Sequence, residues 1–90
     1  MTEATLSGID PDLVIPLFGT RDQYVRRLRE EFRVAIVLRD GTVRITGEAD
    51  DVARTTAVLE QLRRLATSKG AVLPEDFSRI LAMASAATTA

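Results

Sequence analysis

The residues of this 90-residue sequence that could do chemistry are few, and their types narrow the field at once. Histidine and cysteine are both absent, which removes imidazole acid–base catalysis, thiol nucleophiles, disulfides and the usual zinc ligand sets. Two acidic pairs, Asp50 with Asp51 and Glu75 with Asp76, invite a reading as acid pairs or metal ligands. Each stands at the expected start of a helix, where carboxylates meet the positive end of the dipole, so neither is assigned a catalytic or metal role. What remains is arginine, eleven against a single lysine. Seven of them (Arg21, Arg26, Arg27, Arg29, Arg33, Arg39 and Arg44) fall between residues 19 and 44, against Asp22, Glu30, Glu31 and Asp40. That is a local charge of +3 in a chain whose net charge is −1. The excess marks a candidate anion-binding surface, while the acidic pI argues against strong non-specific attraction to nucleic acid.

The arginines must be positioned by a helix and a hairpin. Tyr24, Val25, Leu28 and Phe32 recur near the 3.6-residue period, which predicts a helix over 22–32 with those residues inward and Arg26, Arg27, Arg29 and Glu30 outward. Asp22 or Thr20 is placed to cap it. Val34 to Leu38 is a β-rich apolar run, and Thr42 to Thr46 alternates with period two. Between them, Asp40-Gly41 is the signal of a type I′ turn. A two-residue loop there pairs Arg39 with Thr42, Leu38 with Val43, Val37 with Arg44 and Ile36 with Ile45. Ile36, Leu38, Val43 and Ile45 then share one face, and Arg39 and Arg44 project from the other, where a solvated sheet surface or edge protection is the ordinary reading.

The rest of the chain reads as packing for this unit. Residues 1–8 are an N-terminal segment holding a short edge strand over 3–7, and residues 9–70 form the main domain. Asp10-Pro11-Asp12 is a helix-start signature, and residues 13–18 read as one or two turns of helix or else as a strand, since Val14 and Ile15 are β-branched. Glu48, Asp50 and Asp51 open a long helix over 50–69 with Val52, Thr56, Leu59, Leu62 and Ala66 inward, and Gly70 stops it. Pro74-Glu75-Asp76 opens a further helix within 71–86, with Phe77, Ile80, Leu81 and Ala84 on one face; residues 87–90 are a fraying tail. The N-terminus lacks the look of a signal peptide and no run is long enough to span a membrane, so the expected location is cytoplasmic.

Read as strand, short helix, Gly-x-x-Asp turn, helix, strand, strand, helix, this order resembles a type I KH domain, β-α-α-β-β-α, over about residues 3–69. The resemblance implies an α+β fold with a three-stranded sheet, helices on one face and an extra C-terminal helix. A more specific likeness rests on Asp12-Leu13, Leu17-Phe18-Gly19-Thr20-Arg21-Asp22, Leu28-Arg29-Glu30, Arg39-Asp40-Gly41, Val43, Ile45-Thr46-Gly47-Glu48 and Leu73-Pro74-Glu75-Asp76. These runs are similar to the N-terminal region of PhoH-like proteins over about residues 9–84.

That likeness implies an accessory domain preceding a P-loop ATPase domain linked to RNA metabolism. No Gly-x-x-x-x-Gly-Lys-Ser/Thr occurs here, and the one lysine, Lys69, stands at a helix end, so ATP and Mg belong only to an ATPase domain beyond this sequence. This chain alone is then no enzyme, binds no cofactor, and has as partners RNA or single-stranded nucleic acid and the ATPase domain of its own protein. A KH domain clamps a nucleic-acid backbone with a Gly-x-x-Gly loop, which points to Gly19, Thr20 and Arg21, with Arg26 and Arg29 on the following helix. The departure is Asp22, where a KH loop has glycine: a carboxylate there repels phosphate and can cap the same amides itself. An ordinary turn glycine is the competing reading of Gly19, and Tyr24 and Phe18 are the aromatics near enough to stack a base. The other function these features allow is a protein-interaction or assembly module using a sheet edge or the alanine-rich last helix.

Overall fold

A computed structural model describes residues 1–9 and 23–86. Its element order is β1 (Thr2–Leu6), α1 (Gln23–Phe32), β2 (Ala35–Arg39), β3 (Thr42–Gly47), α2 (Ala49–Lys69) and α3 (Pro74–Ala86). The three strands form one antiparallel sheet in the order β1-β3-β2, so the hairpin's second strand is central and β1 and β2 are its edges. The fold is α+β, but the described order β-α-β-β-α-α does not match the expected one element for element. The helix or strand expected over 13–18, and the cap candidates Thr20 and Asp22, lie outside the described residues, as does the tail 87–90.

The hairpin adopts the register its turn dictates: Arg39 faces Thr42, Leu38 faces Val43, Val37 faces Arg44 and Ile36 faces Ile45. Both turn residues have positive φ, Asp40 at 50° and Gly41 at 74°, as a type I′ turn demands. Gly41 is needed twice over, because a Cβ there would also stand 3.2 Å from the Ile9 carbonyl oxygen. The Ile9 N–H donates to the Gly41 carbonyl at 2.9 Å, which tethers the chain leaving β1 to the hairpin tip and buries the Ile9 side chain.

One face of the sheet is apolar and covered. Leu6, Ile36, Val43 and Ile45 are buried there beneath α1 and α2, with Ala4 and Leu38 partly buried beside them. The helix α1 buries Tyr24, Val25, Leu28 and Phe32, as its spacing predicts. Along α2 the buried residues are Val52, Thr55, Val58, Leu59, Leu62 and Ala66. Thr55, not Thr56, therefore takes the inward position; the two lie about 100° apart on the helix, and only contact with the sheet decides between them. Thr55 can be fully buried because its hydroxyl donates to the Asp51 carbonyl at 2.8 Å, while half-buried Thr56 donates to Val52 at 2.7 Å. Gly70 ends α2 in the left-handed region, φ 78°, and its N–H donates to the Ala66 carbonyl at 2.8 Å.

The last helix packs on α2 through Phe77, Ile80 and Leu81 and continues three residues past Met83. Its start has one half of a capping box: the Asp76 carboxylate, almost wholly buried, accepts the Leu73 N–H at 3.3 Å and pairs with Arg79 at 3.1 Å. Two side-chain contacts fasten α3 to α1. Tyr24 stacks on Phe77 with ring centroids 4.4 Å apart, and Ser85 donates to Glu31 at 3.2 Å. Both contacts advance together along the two sequences, so the helices run side by side in the same sense.

Candidate anion-binding surface

The amphipathic pattern that buries Tyr24, Val25, Leu28 and Phe32 turns the other residues of α1 outward, three arginines and two glutamates among them. Arg26, Arg27 and Arg29 are exposed along it, and Arg33 is exposed just beyond its end. Arg26 and Arg29 are three residues apart and so are neighbours on one side of the helix, their Cβ atoms about 5 to 6 Å apart. Arg27 belongs to another side, near the start of α3, where it lines a cleft with Tyr24 and Phe77. Of the residues expected to form the site, Arg26 and Arg29 are thus brought together, while Gly19, Thr20 and Arg21 lie outside the described residues.

Four of the remaining arginines have a partner elsewhere. Arg54 pairs with Asp51 at 3.0 Å and Arg79 with Asp76, both one helical turn away. On the uncovered face of the sheet Arg44 meets Glu3 at 3.7 Å, a loose, solvated pair worth little. Arg63 donates to the Ser7 carbonyl at 3.2 Å and so serves the segment after β1. Arg39 projects beside Val37 and Thr42 on that sheet face, with the Asp40 carboxylate bordering the same hollow. That face carries both signs of charge, as does the exposed side of α1, where Glu30 and Glu31 accompany Arg26, Arg27 and Arg29.

Tyr24 does not stack bases. Its ring is buried against Phe77, and its hydroxyl donates to the Val72 carbonyl at 3.0 Å. Desolvation by burial, with the nearby Asp76 charge adding to it, raises the phenol's pKa above its ordinary value. Phe32 and Phe77 are buried as well, so among the described residues no aromatic ring is offered to a base. Sequence spacing placed Tyr24 on the apolar face and near the turn, and both are compatible with one ring; the partner that decides, Val72, is too distant in sequence to be read locally.

The acidic pairs behave as helix-start residues. Asp51 holds Arg54, Asp76 caps α3, and no cluster of acidic side chains among the described residues could hold a metal ion. No helix among the described residues is long and apolar enough to cross a membrane.

No family model matches the chain, and no solved structure matches it. Among curated proteins it is 33% identical over 79 residues to a PhoH-like protein of Mycobacterium tuberculosis and, to the same extent, to a PhoH-like protein of Mycobacterium bovis. Each alignment covers 86% of this chain and 22% of the relative, so the chain spans about a fifth of the length of the curated relatives it matches. The similarity is distant and is to a domain-sized part of those proteins.

Proposed function

We propose, from that similarity to part of the PhoH-like proteins, that this chain is a KH-like accessory domain, non-catalytic by itself, that binds single-stranded RNA or DNA weakly. The contact runs through the segment Gly19-Thr20-Arg21 and the outward arginines of α1. The observation that carries this reading is the pairing of Arg26 and Arg29 on one exposed side of the helix that follows that segment. Guanidinium groups at such spacing suit phosphate oxygens of a backbone and need no base recognition. The three-stranded antiparallel sheet with helices on one face is compatible with the KH-like assignment. On this reading an ATPase domain, with its ATP and Mg, is part of a longer parent protein.

A titration of the chain with short single-stranded RNA and DNA at low and moderate salt tests this. Binding should be measurable at low salt, fall with salt, and weaken several-fold in Arg29→Glu. The same preparation should show no ATP hydrolysis or nuclease activity, and turnover that depends on a named carboxylate would refute the non-catalytic part. A second reading, an assembly module for the ATPase domain, is favoured by the exposed apolar side chains Val37, Leu73 and Met83. It predicts no binding to either oligomer at low salt.

A further inference from the structure

Two helices of this fold end in the left-handed region, and they do so with different residues. At the end of α2 the residue is Gly70, φ 78°, the usual choice because it has no Cβ to clash. At the end of α1 it is Arg33, φ 54°. Asp40 is the other non-glycine residue with positive φ among those described, and it sits in a type I′ turn, where aspartate is well tolerated. Arginine has no such tolerance, so the fold carries strain at Arg33 that glycine would relieve.

The usual reasons for a cation at this place do not account for it. A helix C-terminus favours positive charge, but Arg29 already supplies that in the last turn of α1. Arg33 is exposed, and it makes no ion pair with another described residue. What it does have is position. It follows Arg29 by four residues and Arg26 by seven, continuing their line along α1 toward the helix end.

We infer that Arg33 is a third backbone-contacting residue, so that the anion-binding surface extends along α1 to its C-terminal end and engages more than one phosphate of a single-stranded nucleic acid. This rests on the nucleic-acid reading above, and it gives a specific role to a residue that the sequence counts only within the general basic excess.

The test compares the full chain with Arg33→Gly and Arg33→Lys, using thermal melts and titrations with short single-stranded RNA across a range of salt. Arg33→Gly should melt several degrees higher while binding several-fold more weakly, and its log–log salt slope should shrink by about 0.7, the loss of one phosphate contact on a single strand. Arg33→Lys keeps the charge and should keep the slope. If wild type binds but Arg33→Gly binds equally well with the same slope, the inference fails and the nucleic-acid reading stands. If Arg33→Gly melts no higher than wild type, the strain argument is wrong and the inference falls with it. If wild type shows no binding at low salt, both the reading and the inference fail.

Discussion

The Tyr24 hydroxyl on α1 donates a hydrogen bond of 3.0 Å to the carbonyl of Val72, 48 residues away in the segment that leads into α3. One side chain thereby links the start of the arginine-bearing helix to the last helix. The stack on Phe77, whose own helix is capped by Asp76, makes the link rigid. Whatever holds α3 in place also holds the N-terminal end of α1, where the candidate binding segment joins it.

That bond should be visible in the alkaline limb of stability. Burial raises the Tyr24 pKa in the folded chain above the unfolded value of about 10, so the folded state holds its proton more tightly. The sign follows: the contribution is fully present below pH ~10 and is lost as pH rises from there through the folded pKa. Tyr24 is the only tyrosine and there is no tryptophan, so ultraviolet titration reports this phenol alone. Ionisation should lag the ordinary midpoint until the chain unfolds, and Tyr24→Phe should cost about 1 to 2 kcal/mol near neutrality by leaving the Val72 carbonyl unpaired. An ordinary tyrosine titration in the folded chain would contradict the burial.

Ile45 is fully buried at the centre of the sheet's covered face. Truncation to alanine should open a cavity between β3 and the helices and cost about 2 to 4 kcal/mol in a denaturant melt. A change near zero would mean that this face is not the one under the helices.

Gly41 combines positive φ with close approach to the Ile9 backbone, so Gly41→Ala should strain the turn and push against that carbonyl together. The expected cost is about 1 to 3 kcal/mol. Hydrogen exchange should show the Ile9 amide losing protection first, because its acceptor is the Gly41 carbonyl. Equal loss across the sheet would argue against a local effect.

These cases also mark how far the sequence could be read. The hairpin register was legible because Asp40-Gly41 and the period-two pattern of 42–46 are local signals that agree. The inward face of α1 was legible for the same reason. Thr55 was missed in favour of Thr56 because neighbouring helical positions differ only by rotation, and the sheet that chooses between them lies elsewhere in the chain. That the Tyr24 ring is not available for stacking could not be read locally, because its partners Val72 and Phe77 come from the last helix and the segment before it. Arg33 had no local signal for a left-handed backbone, since it is neither glycine nor asparagine; the helix has to end there for the strain to exist.

The sharpest test of the site uses two adjacent residues of opposite charge. If the segment Gly19-Thr20-Arg21-Asp22 meets a phosphate backbone as the KH resemblance implies, Arg21→Glu should weaken binding to single-stranded RNA and flatten its salt dependence. Asp22→Gly should do the reverse, because it removes a repulsive carboxylate and restores the Gly-x-x-Gly pattern. If Asp22 caps α1, its loss to glycine should cost about 1 kcal/mol or less. Melting both variants alongside the titrations separates that effect from binding. If wild type and Asp22→Gly both fail to bind RNA and DNA at low salt, the arginines of α1 are a solvated helix face and the assembly-module reading takes precedence.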